Sequence, residues 1–470
     1  MRITQLVLPV AIILIYTTLR VLYFWQIPIF EDEALFTGWS KDMVRSFWFW
    51  SEPLKNGISP LFSWVTALAM LIIPNQFAAG RAVSTFSGVI LLIVLTKFLK
   101  KRLVALYLYL TLLLYCLLPI VLVYTRLALL DMLMVNLIFV ALLSAWDYLE
   151  SGKKIFLILF LASILMATLT KPISFITLIA VLVAAVLTKT KMKRIIHLVA
   201  LSLFSLFGYG VLIFNYRFTT ISILSNFIFH SGSIISLLKR NIWLTLHWMY
   251  SYYPAVFLLL SLFGLFTSLR GKQWQRFIAV GFLAFFLSIL GSDTLYFPRH
   301  TLVFAPFMII FCAVSFEAMH NFNRYAAVTI SCVTLISVSV AAYSLVSNPE
   351  NSSSMAKEDK FQFYQDWTSG KIISHIAASI DAQSLKEKKI IVWTDDSSLY
   401  YQALPYYLDK NKENIVKKLP SSFPEFSAET KKSIPEFILI NKDLPFSLTY
   451  NAKTVFSVSS RHEVVLLRLN

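Results

Sequence analysis

The sequence predicts an all-α polytopic membrane protein, with about eleven transmembrane helices plus interfacial helices, that ends in a small extracytoplasmic α/β domain. Three observations carry this. Of the 470 residues, 57% are hydrophobic, whereas a soluble domain is nearer half apolar and more charged. Apolar stretches of roughly 17–25 residues, the length of a membrane-spanning helix, recur from Leu6 to Val346. Beyond Val346 the pattern changes to interspersed charge with short apolar runs.

The apolar runs lie near 5–25, 58–74, 81–98, 103–122, 127–149, 155–170, 172–188, 195–214, 243–269, 277–292, 299–318 and 325–346. The first has no small-residue cleavage site after it and reads as an uncleaved helix. Four basic clusters separate alternate runs: Lys97, Lys100, Lys101 and Arg102; Lys153 and Lys154; Lys189, Lys191, Lys193 and Arg194; Arg270, Lys272 and Arg276. All four fit one cytoplasmic side, as the positive-inside rule requires. With a cytoplasmic N-terminus, parity then forbids 58–74 from crossing. That run is short, starts with Ser59, Pro60 and Ser63, and ends at Pro74, so it reads as a helix at the outer interface. The other parity, with an external N-terminus, gives twelve crossings.

The membrane domain is expected over 1–348 and the α/β domain over 349–470. In the latter, "KKIIVWTD" (388–395), "EFILIN" (436–441) and "EVVLLRL" (463–469) read as strands. "SGKIISHIAASI" (369–380) and "SSLYYQALPYYL" (397–408) read as amphipathic helices, the second interrupted by Pro405. Asn351-Ser352-Ser353 matches a glycosylation sequon, a triplet common by chance. No internal repeat is visible.

The formal charge of +17 follows from loop Lys and Arg and does not call for nucleic acid. Cys116, Cys312 and Cys332 all fall inside apolar runs and read as small core residues, with no disulfide framework. No HExxH, CxxC pair, Walker loop or GxGxxG occurs.

The register sends Glu31, Asp32, Glu33, Lys55, Arg81, Arg126, Asp131, Lys171, His230, Arg299 and His300 to one outer face. Acids and bases brought by many loops to one level of a helical scaffold suit an active site. Group transfer from a lipid phosphate wants both signs. A carboxylate accepts the proton of an attacking hydroxyl, and cations hold the phosphate as it gains charge.

"IPIFEDEALFTGWSKDMV" resembles the first extracytoplasmic loop of the polyprenyl-phosphate-dependent glycosyltransferases of GT-C fold, which include the protein O-mannosyltransferases and the aminoarabinose transferases of lipid A. "LKNGISPLFSWVTALAML", "FAAGRAVSTFSG", "YTRLALLDMLM" and "TLTKPISF" resemble the following landmarks, in order and at similar spacing. "YFPRHTLVFAPF" is similar to a late segment of the family. The likeness covers roughly 5–345. It departs where Asn56, Gly57, Ile58 and Ser59 replace a double proline, and where His300 replaces a tyrosine.

The resemblance implies a membrane glycosyltransferase that moves a hexose or pentose, with inversion, from a polyprenyl-phosphate donor to a lipid, glycan or protein acceptor. It implies Asp32 as catalytic base and Glu33 as its supporting acid. Acids also favour a first helical turn for electrostatic reasons alone, which accounts for Glu31. Asp131 is a catalytic-site candidate, as positioning group or metal ligand; its bland alternative is an ion pair with Arg126. Lys55, Arg126, Lys171 and Arg299, with His300, are the candidates for the donor phosphate, against snorkelling to headgroups. Arg81 reads as an interfacial anchor or salt-bridge partner. No cofactor is required. A divalent cation held by Asp131 with His230, His247 or His300 stays open, against packed, hydrogen-bonded histidines. Trp39, Trp48, Trp50 and Trp64 read mainly as an interfacial belt.

Two other classes compete. A transporter or lipid flippase would show repeats and midplane charges; a membrane polymerase or ligase would lack the early acidic loop. Cysteine labelling tests the register. Positions beside Asp32, Lys171 and Asp396 should label from outside, and positions beside Lys101 and Lys191 should not. Labelling of Asp32 and Lys101 from the same side would overturn it.

Overall fold

The computed structural model describes residues 4–188, 191–215, 234–291, 297–365, 369–384, 389–394, 398–408, 410–411, 413–418, 436–441, 452–459 and 463–469. The chain divides into two compact units. One comprises Met1–Phe24 and Asp42–Ala356, the other Trp25–Lys41 and Lys357–Asn470.

The first unit is a helical bundle. Its described helices are α1 (Thr4–Leu22), the C-terminal part of α2 (Glu31–Arg45), α3 (Glu52–Lys55), α4 (Leu61–Met70), α5 (Gln76–Leu99), α6 (Ala105–Leu117), α7 (Pro119–Tyr124), α8 (Leu130–Ser151), α9 (Lys154–Thr170), α10 (Ile176–Leu187), α11 (Met192–Asn215), α12 (Ile234–Tyr252), α13 (Ala255–Arg270), α14 (Gln273–Leu290), α15 (Phe304–Phe322) and α16 (Arg324–Ser347). Among the described residues, five segments are long and apolar enough to cross a membrane: α5, α8, α14, Pro298–Phe322 and α16. Shorter apolar helices accompany them, including Val7–Leu22, Ala105–Leu117 and Lys154–Thr170. The protein is an all-α polytopic membrane protein in this unit. Helix α4, expected at the interface, has 10 residues and so is about 15 Å long, half a hydrocarbon core.

Helix α8 is buried almost all round, as a helix that is apolar on every face should be. It packs on α9 and α5, while α13 packs on α15 and α10 on α14. Phe282 of α14 meets Phe304, Phe307 and Phe311 of α15 at 5.4–5.6 Å between ring centroids. Helix α16 lies at the periphery and exposes Val333, Ile336, Val340 and Tyr343. Cys116 and Cys312 are buried as expected; Cys332, on α16, is exposed. A lipid-facing position is as apolar as a core one, so the apolar run did not distinguish them.

Members of two basic clusters, Arg102 and Arg194, meet at the C-terminal end of α8. Arg102 contacts Asp147 at 3.2 Å and Glu150 at 3.1 Å. Arg194 donates to the carbonyls of Leu149 and Glu150. Trp274 packs edge-on against Phe98 at 5.8 Å. Gly152 closes α8 in the left-handed conformation, φ 74°, where a side chain is strained.

Three arginines without exposed surface, Arg20, Arg81 and Arg126, surround the end of α1. Arg20 donates to the Cys116 carbonyl at 2.7 Å, the Tyr16 carbonyl at 3.2 Å and Thr125 Oγ1 at 3.1 Å. Its guanidinium lies over the Tyr16 ring, which stacks on Tyr115. Arg81 donates to the Phe24 carbonyl and is sunk in protein rather than set among headgroups.

The second unit holds α17 (Lys357–Lys360), α18 (Gly370–Gln383), α19 (Ser398–Tyr407) and the strands β1 (Lys389–Thr394), β2 (Glu413–Lys418), β3 (Glu436–Asn441), β4 (Ala452–Ser459) and β5 (Glu463–Leu469). The sheet order is β2-β1-β3-β5-β4. β1 runs parallel to β2 and β3, and β5 antiparallel to β3 and β4. The three expected strands are present, and β2 and β4 are additional. Pro405 does not interrupt its helix, which continues to Tyr407. The start of α2 belongs to this unit.

Replacing Arg20 by Met strands the Cys116 carbonyl. Each such buried group costs about 1–3 kcal/mol. Arg20→Met should therefore lower the unfolding midpoint in detergent; an unchanged midpoint would show that the bonds contribute nothing net.

Candidate active site

Three chain breaks build the polar cluster of the bundle unit. Leu129 is extended (φ −115°, ψ 146°) and starts α8, which puts Asp131 in a first helical turn, where a carboxylate is favoured. Lys171 is extended (φ −158°, ψ 124°) between α9 and a short 3₁₀ turn, Pro172–Phe175. Pro172 imposes this, because the residue before proline avoids helical angles. Phe297, also extended, precedes the 3₁₀ turn Pro298–Val303 that carries Arg299 and His300.

These breaks bring Asp131, Lys171 and His300 together. Lys171 Nζ lies 3.1 Å from Asp131 Oδ1 and 3.4 Å from His300 Nε2. The Asp131 carboxylate thus meets Lys171, forty residues on, instead of the Arg126 partner weighed above. The Asp131 side chain is 2% exposed and that of Lys171 24%, so the ammonium is the member reachable from outside. His300 Nδ1 accepts from the Phe297 amide at 3.0 Å and lies 3.2 Å from the Phe297 carbonyl, which fixes the ring with Nε2 toward Lys171. Arg299 lies within electrostatic reach of Asp131, its guanidinium 5.0 Å from the Phe297 ring centre. Lys171 and Arg299 thus bring two cations to one carboxylate, groups of the kind that hold an anion with several oxygens.

The remaining candidates lie elsewhere. Arg126 is wholly buried and donates to the Leu122 carbonyl at 2.8 Å and the Tyr23 carbonyl at 3.5 Å. Lys55 is more than half exposed and pairs with Glu52 at 3.3 Å, one helical turn away. Trp50 packs on Trp64, whose indole donates to the Trp50 carbonyl. His247 stacks on Trp243, as a packed histidine does. His230 and Asp396 lie outside the described residues. Among the described residues no three His, Cys, Asp or Glu side chains converge as for a metal ion.

In the second unit the acidic triplet opens α2. Glu33 is fully buried, whereas Glu31 and Asp32 are partly exposed. Arg20 was missed by sequence reasoning. A lone arginine in an apolar run is the signal that marks it.

No protein-family model matches the sequence, and no characterised protein sequence does. Solved structures do. ArnT from Cupriavidus metallidurans in the apo state is 16% identical with a TM-score of 0.59, over 98% of this chain and 97% of its own. The same protein bound to undecaprenyl phosphate is 16% identical with a TM-score of 0.60, over 100% of this chain and 98% of its own. The oligosaccharyltransferase AglB from Archaeoglobus fulgidus, in complex with an inhibitory peptide and a dolichol-phosphate, is 12% identical with a TM-score of 0.53, over 94% of this chain and 69% of its own. The chain shares its fold with ArnT and AglB.

The pair is testable by a double-mutant cycle on unfolding. Lys171→Met and Asp131→Asn should each destabilise, because either leaves a low-dielectric partner unmatched. The double variant should lose at least about 1 kcal/mol less than the sum of the singles. Strict additivity would show that the two groups do not interact.

Proposed function

We propose that the chain is an integral membrane glycosyltransferase that moves one sugar from a polyprenyl-phosphate-linked donor to an acceptor on the extracytoplasmic face, inverting the anomeric carbon. The observation that carries this is the Lys171–Asp131–His300 cluster with Arg299, held at one end of a GT-C bundle. Similar structures hold undecaprenyl phosphate and a dolichol-phosphate. Members of two basic clusters, Arg102 and Arg194, lie at the opposite end of α8, which supports the sidedness by the positive-inside rule.

In this reading Asp32 accepts the proton of the acceptor hydroxyl as its oxygen attacks the anomeric carbon. The carbon–oxygen bond to phosphate breaks, and the electron pair leaves with the polyprenyl phosphate. Lys171 and Arg299 take up the charge that grows on that phosphate. Asp131 holds Lys171 in place, His300 fixes the other side of the ammonium, and Glu33 sets the surroundings of Asp32. Lys55 is a further phosphate contact suggested by its motif. The acceptor is a lipid, a glycan or a protein with a free hydroxyl.

The experiment is transfer from polyprenyl-phosphate sugars in a membrane lipid extract by purified protein. Asp32→Asn keeps the size and removes the basicity, so turnover should fall by at least about a hundredfold while undecaprenyl phosphate still binds. Lys171→Met should weaken that binding by about ten- to a hundredfold, the value of a charge-assisted contact of about 1.5–3 kcal/mol. Glu31→Gln should be nearly silent. Wild-type turnover of Asp32→Asn on a hydroxyl acceptor would remove the base from the mechanism.

A further inference from the structure

Residues 25–30 read WQIPIF and lead straight into the acidic triplet. An apolar stretch with a proline is stiff, and in this chain it is also enclosed. Ile27, Ile29 and Phe30 are at most 1% exposed, as is Ala34 one turn into α2. The groups that enclose it come from the far end of the chain. The Ile29 amide donates to Tyr407 Oη at 3.1 Å, across 378 residues of sequence. Tyr364 Oη donates to the Gln26 carbonyl at 3.3 Å. The Phe30 ring lies 5.0 Å from that of Phe363, and the Trp25 ring 5.4 Å from that of Tyr406.

The closest approach is at Gly370, the first residue of α18. A Cβ placed there would overlap the Ile29 carbonyl oxygen and stand 2.7 Å from the Ile29 amide nitrogen. Only glycine lets α18 lie against this backbone. Further along α2, a Cβ on Gly38 would stand 3.0 Å from Gln402 of α19. The Phe30 carbonyl accepts the first helical bond of α2, from Ala34 at 3.1 Å. Pinning Ile29 and Phe30 therefore sets where the helix starts, at Glu31, one residue before Asp32.

We infer that the C-terminal unit is a positioning device for the acidic loop, in which Gly370, Tyr364 and Tyr407 are positioning residues that hold the start of α2 and with it the Asp32 carboxylate. This rests on the transferase reading for its catalytic consequence. Its physical part, the clamp, stands on the bonds above. A loop that carries a base without a scaffold of its own gains its precision from such outside contacts, and a displacement of about 1 Å can cost about a hundredfold in rate.

The test uses the full-length protein in detergent, with hydrogen exchange of the 25–41 peptide beside single-turnover transfer from the lipid-extract donor. Gly370→Ala should speed exchange in 25–41 alone and cut the transfer rate by about ten- to a hundredfold. The dissociation constant for undecaprenyl phosphate should not change. Tyr407→Phe and Tyr364→Phe keep the rings and should give smaller losses of the same kind, so the inference remains testable should Gly370→Ala fail to fold. Gly370→Ala added to Asp32→Asn should cause no further loss, because the clamp acts through Asp32. Unchanged exchange in 25–41 for all three variants overturns the clamp. Faster exchange with unchanged transfer overturns its catalytic role. A loss seen only as a raised acceptor KM overturns it too, and makes the C-terminal unit an acceptor-binding module. Undiminished turnover in Asp32→Asn alone defeats the transferase mechanism, and the exchange result then still decides the clamp.

Discussion

The end of the first helix is fastened by cations that have no contact with water. Arg20, Arg81 and Arg126 are fully buried, and each has main-chain carbonyl oxygens among its partners. A helix leaves its last carbonyls without partners. In a membrane no water replaces them, and each unpaired group costs several kcal/mol. Arg81 and Arg126 supply donors to Phe24 and Tyr23, just past the last turn of α1. Arg20 ties the same helix to the carbonyl of Cys116 on α6. A guanidinium suits this work, since it brings several fixed donors on one weakly hydrated group. The end of α1 is thus fastened within its own unit.

Proline does the corresponding work elsewhere. Leu118, Lys171 and Phe297 each precede a proline, and each is extended, as the steric clash with the proline ring requires. At 118 the break merely splits one crossing into α6 and α7. At 171 it ends α9, and at 297 it precedes the 3₁₀ turn that carries Arg299 and His300; helix ends have orphan polar groups that welcome charge. Asp131, Lys171, Arg299 and His300 sit at or beside such ends. At Lys171 the helix stops because of Pro172, a residue that has no part in the chemistry of the cluster.

This explains which parts of the molecule were legible in the sequence. Breaks are written locally: Pro172 and Pro298 are visible, and so were Lys171 and Arg299 as candidates. The meeting of Lys171 with Asp131 was less legible, since Arg126 is nearer in sequence and only the packing of α8 on α9 selects between them. Arg20 gave one signal, its place within an apolar run, while its partner is a carbonyl 96 residues away that no side-chain pattern announces. Both strands missed in the C-terminal unit, β2 and β4, are the edges of the sheet. "ENIVKK" and "AKTVFSVS" are polar and lysine-bearing, as edges are, and lack the continuous apolar run that revealed β1, β3 and β5. Membership of residues 25–41 in the C-terminal unit was illegible for a related reason: its contacts span more than three hundred residues.

Helix α8 joins the two ends of the bundle unit. Asp131 lies in its first turn, while Asp147 and Glu150 lie in its last two and receive Arg102. Sixteen residues separate Asp131 from Asp147, about 24 Å of helix. The charged groups of α8 are therefore confined to its ends, with a nearly all-buried, mostly apolar shaft between them. Charge at midplane would mark a path through the membrane. Charge at one end, with basic groups at the other, is the arrangement that the transfer proposed above would use on one side of the scaffold. For that proposed reaction the near-complete burial of α8 supplies a packed base under the cluster, which a fixed catalyst would use and a carrier would not.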